Sequence, residues 1–278
     1  MHNKKGLSKI LIVIGVVVLL LVLGLAYVYT SITGSKTVSA QLRVESGQVL
    51  VNDKTVTEKV LLKKGDTIET KDGEATVILY ESVIISLNQN TKITLDDLTR
   101  SHPQVTQEGG ETWNKFTNVL GVEDYTIKAG NSVASVRGTA FGITEDKIIV
   151  GEGEVDYSVD EEEFSVIEDE VVEIVDDKPV EREANPEELE MIKQNMEETI
   201  KELKYIRELE IEKQGFIVDK IKAKFELTDE DIRQTLEDAD NGLVDVDELV
   251  AKSPIQIDSL QKIADLTKEI RKIKEQMM

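Results

Sequence analysis

No cysteine occurs in these 278 residues. That excludes disulfides, thiolate catalysis and the usual structural zinc sites. Any exported part must then be held together by ordinary apolar cores. Histidine is nearly absent, with only His2 and His102. A Ser-His-Asp arrangement beyond the N-terminus would have to use His102, which precedes Pro103 in a loop-like stretch. No Gly-x-Ser-x-Gly, His-Glu-x-x-His or phosphate-binding loop is present. Carboxylates are too numerous to single out a pair for acid–base work, so the expectation is a protein that is not an enzyme. Positive charge is scarce as well: 33 Lys and Arg face 55 Asp and Glu, a net charge of −22. Such an excess keeps a chain soluble and disfavours nucleic acid or anionic lipid as a partner.

The run from Ile10 to Tyr29 carries no charge and is mostly Ile, Leu and Val. About 20 apolar residues cross a bilayer core as a helix. Tyr27 and Tyr29 lie at its far end, where aromatic rings sit among headgroups. Lys4, Lys5 and Lys9 precede the run, and Lys36 alone follows closely. This bias orients residues 1–9 to the cytoplasm and everything after the run to the outside. A cleaved secretory signal is the alternative, with Val38-Ser39-Ala40 as small residues for cleavage, but the run is longer than a usual signal core. The expectation is an uncleaved signal anchor and a single-pass protein at the cell membrane. Residues 1–29 hold three lysines and no acid, so the remainder carries −25.

Residues 30–39 are small and polar and read as a tether. Residues 40–182 then show short alternating apolar runs. Gln48–Val51, Ala75–Tyr80, Ser82–Leu87, Lys92–Leu95, Tyr125–Lys128, Lys147–Val150, Glu154–Val159, Phe164–Ile167 and Val171–Val175 are candidate strands. Lys64-Gly65-Asp66, Lys71-Asp72-Gly73 and Gly151-Glu152-Gly153 are turn signals between them. The acid groups Asp160–Glu163, Glu168–Glu170 and Asp176-Asp177 read as solvated hairpin tips that also discourage strand aggregation. The pattern predicts an all-β domain: a sandwich, a jelly roll or a short solenoid.

Residues 183–278 change period. Asn185-Pro186-Glu187-Glu188 starts a helix, and Leu189, Ile192, Met196, Ile200, Leu203 and Ile206 give it an apolar stripe to about Lys213. A second stripe runs through Ile217, Ile221 and Phe225. Thr228 caps a third helix, Asp245 a fourth and Asp258 a fifth. Each stripe must be buried on another helix or on a partner, which allows a helical bundle or a homo-oligomer formed through these helices.

Several segments of the β-region are similar to the FecR domain. They are Gly47–Val51, Lys64–Thr70, Gly73–Leu79, Ile85–Asn88, Thr91–Leu95 and Gly110-Glu111-Thr112-Trp113. Val136-Arg137-Gly138-Thr139 with Phe141, and Val150–Val155, resemble its most distinctive part. The resemblance spans about residues 40–182. Glu81-Ser82 departs from it, standing where the family has a turn of the Asp-Gly-Ser kind. Read by itself, Gly138 supplies a conformation or a close approach denied to other residues. Phe141 fills the core, Thr139 lies within the element, and Arg137 pins a neighbouring loop. This is a fold-defining corner, the alternative being a ligand contact through Arg137. The resemblance implies a single-span regulator that relays an outside signal to a sigma factor. Such regulators carry a helical cytoplasmic domain before the span, whereas nine residues precede it here. The expectation is therefore a membrane-anchored extracytoplasmic protein for sensing, scaffolding or assembly, with an unidentified envelope partner.

Asp238 to Glu248 resembles an EF-hand calcium loop, with Asp238, Asp240, Asn241, Asp245 and Glu248 as oxygen donors. Gly242 falls one residue early for that geometry. The plain reading is a helix end at Asn241-Gly242 followed by an Asp245 N-cap. The calcium reading would make the chain a calcium-responsive adhesion or cell-envelope binding protein.

Overall fold

The computed structural model describes residues 40–117, 122–160, 162–176, 178–252, 255 and 257–277. Residues 1–39, which hold the expected anchor and tether, lie outside the described residues. Residues Val38–Met278 form one compact unit. Among the described residues no helix is long and apolar enough to cross a membrane.

The first strands are β1 (Ala40–Ser46), β2 (Val49–Val51), β3 (Lys54–Val56), β4 (Val60–Leu61), β5 (Thr67–Thr70) and β6 (Glu74–Leu79). Next come β7 (Val83–Leu87), β8 (Lys92–Asp97), β9 (Gln104–Gly109), β10 (Thr112–Phe116), β11 (Tyr125–Ala129) and β12 (Ser132–Val136). The last are β13 (Ala140–Ile143), β14 (Lys147–Glu152), β15 (Glu154–Val159), β16 (Glu162–Ile167), β17 (Glu170–Val175) and β18 (Lys178–Glu183). They form two nine-stranded sheets. Sheet A runs β18-β17-β14-β13-β10-β7-β6-β1-β4, and sheet B runs β16-β15-β12-β11-β9-β8-β5-β2-β3. From β6 onward the chain lays two strands in sheet A, two in sheet B, and so on, with β10 as the one single visit among the described strands. Pairing is antiparallel except for β9 with β11. The fold is thus a sandwich wound like a short solenoid.

Period-two alternation fills the space between the sheets. Ile93 and Leu95 of β8 are fully buried while Lys92 and Thr94 face out. Leu42, Val77, Ile85, Phe116, Tyr125 and Phe141 share this core. The acidic groups are turns, with Asp160, Asp169 and Asp176 at left-handed φ of 47°, 65° and 49°, a conformation that Asp tolerates better than most residues. The expected hairpin tip at Glu168–Glu170 is corrected, since that turn crosses from β16 of sheet B to β17 of sheet A. The strands missing from the sequence reading, among them β10, β12 and β13, carry polar or small residues at buried positions and so lose the alternating signature.

Five helices follow: α1 (Pro186–Lys213), α2 (Gly215–Phe225), α3 (Asp229–Asp240), α4 (Val246–Lys252) and α5 (Asp258–Gln276). Asn185 caps α1, its side-chain oxygen accepting from the N–H groups of Glu187 and Glu188, both at 3.0 Å. The Glu188 carboxylate accepts from the Asn185 N–H at 2.9 Å, completing a capping box. Thr228 caps α3 in the same way. The expected cap at Asp258 is corrected: Ile257 is the N-cap, no side chain caps α5, and Asp258 is its first residue.

The stripes of α1 and α5 pack on each other and on the outer face of sheet A. Ile192, Met196, Leu203, Ile206, Ile263 and Leu266 form one cluster with Ile78, Ile84, Trp113, Ala140 and Ile149 of the sheet. The molecule therefore has three layers: sheet B, sheet A and helices. A smaller cluster of Ala239, Val246, Ile257 and Leu260 joins α3, α4 and α5.

Candidate interaction site

The two most distinctive sequence motifs meet at one corner. The chain leaves sheet B after Val136, passes Arg137-Gly138-Thr139 and enters sheet A at Ala140. It returns from sheet A to sheet B at Gly153, beside Gly138. Gly138 has φ +79°, and a Cβ there would meet nothing within 4 Å. Its requirement is backbone conformation rather than close approach. Phe141 is fully buried between the sheets, and Thr139 is fully buried in the corner. The Thr139 carbonyl accepts from the Phe116 N–H at 2.8 Å. Arg137 is exposed. The loop-pinning contact expected of it has no counterpart among the described residues.

Between the crossings, the register passes from Ala140↔Glu152 to Phe141↔Val150, leaving Gly151 as the extra residue of a bulge. A bulge re-aims the side chains beside it. Gly151 lies under the helices: a Cβ would sit 2.6 Å from Ile192 Cγ2 and 2.9 Å from Trp113 Cη2. Glu152 turns to the same face and accepts from Lys115 Nζ at 2.5 Å. Lys115 is 1% exposed. Burial pulls its pKa below the usual lysine value, and the Glu152 charge opposes that shift.

Ion pairs then tie the helices to sheet A. Lys213, in the last turn of α1, donates to both carboxylate oxygens of Glu81 at 2.5 Å. Glu81 is buried at the β6–β7 turn, where Tyr80 and Glu81 adopt φ of 53° and 57°. The departure from the family's Asp-Gly-Ser turn thus supplies the acceptor for a helix. Arg182 of β18 bridges Glu173 of β17 and Glu188 of α1. That hydrogen-bonded guanidinium holds the Glu188 carboxyl down to about 2. Arg43 of β1 donates to Glu202, and Ser259 of α5 donates to Glu210. Burial raises the pKa of Glu202 and of Glu210. Lys272 of α5 reaches Glu168 in the turn after β16. Lys115, Trp113 and Glu81 were not singled out as site residues by sequence reasoning. Their signals were present: a lysine inside the strand Trp113-Asn114-Lys115-Phe116, and an acid where a turn glycine is usual.

The five calcium candidates are not gathered into a ligand set. Asp240 accepts both guanidinium nitrogens of Arg207, at 2.6 and 3.0 Å, and lies 3.1 Å from Lys204 Nζ. Asp238 accepts from Gln234. Asn241 is the C-cap of α3, and Asp245 accepts from the Glu248 N–H at 3.1 Å. Among the described residues no group of three or more His, Asp or Glu could hold a metal ion. Asp240 is neutralised by cations, and Asn241 and Asp245 serve the helix ends.

Two hollows remain. A polar groove of about 520 Å³ separates sheet A from the first half of α1, lined by Glu74, Thr76, Ser86, Asn88, Asn195 and Glu202 among others. Its rim is rich in acceptors and suits donor-bearing or cationic groups. An apolar hollow of about 270 Å³ lies among α1, α2, α3, α4 and the start of α5, lined by Ile211, Val218, Ile221, Ile232, Leu236 and Leu260 among others. His102 sits at the surface with Nδ1 2.8 Å from Asp124.

Two stacked sheets joined by glycine corners, with helices on one face, define a β-sandwich with a helical layer. Residues 66–159 match the family model described as FecR protein, so the resemblance carried by the motifs holds over that segment, about a third of the chain. Two crystal structures of a protein described as an anti-sigma factor, from Parabacteroides distasonis ATCC 8503, are similar to part of this chain. Each is 17% identical with a TM-score of 0.39, over 43% of this chain and 60% of that one. No match is found among curated proteins.

Proposed function

We propose that this chain is a membrane-anchored, extracytoplasmic FecR-like module that works by holding partners, in sensing, scaffolding or assembly at the cell surface, and that it is not an enzyme. The FecR match over residues 66–159 carries the reading. It follows an uncharged run, residues 10–29, flanked by lysines on its N-terminal side. Ion-pairing side chains of sheet A are tied to the helices, as Glu81 and Arg182 are. The polar groove beside α1 offers room for a donor-rich group from an envelope partner. Nucleic acid is disfavoured by the net charge of −22.

The test uses the absence of cysteine. A single exposed cysteine, Lys128→Cys on β11 of sheet B, is labelled in intact cells with a membrane-impermeant maleimide. Labelling before lysis, together with retention of the full-length chain in the membrane fraction, supports the reading. Labelling only after lysis overturns the topology, and a shortened soluble product points to a cleaved signal instead.

A further inference from the structure

The two ends of the sandwich differ in charge, and both ends of sheet B are open. At one end β3 pairs only with β2, and at the other β16 pairs only with β15, among the described residues. Each therefore presents a row of backbone N–H and C=O groups able to accept another strand. Sheet A is better protected. Its edge strand β4 has two residues, and β18 carries Pro179, which has no N–H to donate.

Residues 52–64, around β3 and β4, hold four lysines against Asp53 and Glu58. Lys54 and Lys63 have no acidic side-chain partner among the described residues. Residues 160–183, from the turn before β16 through β18, hold twelve acids against Lys178 and Arg182. The net charges are +2 and −10, so this second segment carries close to half of the whole chain's −22. Both ends also expose apolar side chains: Leu61 at 63% on the first, and Ile167 at 49%, Val175 at 45% and Val180 at 42% on the second. Two acidic ends repel each other, whereas an acidic end and a basic end attract.

We infer that copies of this chain associate head to tail, the β3 end of one copy meeting the β16 end of the next. Such a contact is heterologous. It propagates into rows unless a rotation closes it into a ring. It names the partner for the assembly part of the proposed function, yet it requires only residues 40–278 and holds whichever side of a membrane they occupy.

The full chain in mild detergent at low salt provides the test. Thr55→Cys on β3 and Ser165→Cys on β16 are made separately, since no native cysteine interferes. Oxidation of the mixture gives a disulfide-linked dimer at about ten times the yield of either variant alone, and Lys54→Glu with Lys63→Glu removes that excess. Salt at about 0.5 M lowers the yield, because it shortens the range over which the ends attract. Equal or greater linkage of Ser165→Cys with itself overturns the inference in favour of a symmetric contact. No linkage, with a monomer in sedimentation at high concentration, overturns it outright. All four positions are exposed, and unchanged melting of each variant shows that the fold is not the cause. Maleimide labelling in cells is unaffected by any of these outcomes, so loss of the assembly does not disturb the anchoring reading.

Discussion

The outer face of sheet A and the outer face of sheet B are built on the same two-residue alternation, yet one is interior and the other is surface. Sheet A points Ile78, Ile84, Trp113, Ala140 and Ile149 outward, and α1 and α5 bury them. Sheet B points Lys92, Thr94, Thr106 and Glu108 outward, and no helix among the described residues covers them. Its side chains bond across strands instead, as in Thr94 to Glu108 at 2.9 Å and Thr67 to Thr94 at 3.1 Å. The difference shows that alternation decides only which residues share a face. Whether that face is wet depends on its chemistry and on a second layer with a matching apolar stripe. Trp113 is the only tryptophan and lies 4% exposed beneath the helices, so its fluorescence reports the docking of that layer.

The contrast breaks most sharply at the deepest contacts. Ile192→Ala and Leu266→Ala, both at fully buried positions, are expected to cost about 2–5 kcal/mol each in denaturant unfolding, with an early red shift of Trp113 emission. Lys115→Met strands the Glu152 carboxylate in the same layer and is expected to cost about 3 kcal/mol, while the pair Lys115→Met with Glu152→Gln recovers much of that loss. Gly151→Val crowds Ile192 and Trp113 and is expected to cost about 1–3 kcal/mol with the same red shift. Gly138→Ala acts at the corner instead. It is expected to cost about 1–2 kcal/mol through its positive φ, without moving Trp113 early, because no side chain of the helices is near. Thr94→Ala, on the bare face of sheet B, is expected to stay within about 0.5 kcal/mol.

A pH series sharpens the same contrast. Glu202, Glu210 and Glu269, all on α1 or α5, have carboxyl pKa values raised by burial. Groups raised in the folded state add stability below their unfolded value and lose it as pH rises through the folded one. Glu188 lies the other way: held at about 2 by Arg182, it adds stability above its unfolded value near 4.5 and loses it as pH falls toward 2. The helical layer should therefore be held most tightly near the ordinary glutamate value of about 4.5, and loosen on both sides. Chemical unfolding followed by Trp113 emission across pH checks this, and a midpoint that climbs steadily to pH 8 would count against it. Glu202→Gln with Glu210→Gln should flatten the alkaline side alone.

Much of the fold was legible in the chain. The β-to-α change near Asn185, the capping box at Asn185 and Glu188, the span of α1 and strands such as β8 and β15 follow from period and capping chemistry that act within a few residues. The glycine corner was legible for the same reason, since a left-handed φ is a local demand. The strands β10, β12 and β13 were not, because Asn114, Lys115 and Ser132 are polar groups whose burial depends on partners elsewhere in the sequence. Asp240 read as a metal ligand because Arg207, 33 residues earlier, is invisible to a local motif.

By itself the sequence determined which residues alternate, where helices begin, where the chain must turn on glycine, and the family likeness that these local features carry. Tertiary structure alone decided that α1 and α5 lie on sheet A and not on sheet B. It also made a bulge at Gly151 deliver Glu152 to Lys115, and it placed opposite charges at the two ends of the sandwich. The physical reason is range. Backbone conformation and side-chain period are set by neighbours along the chain, whereas burial, ion pairing and electrostatic polarity are set by neighbours in space.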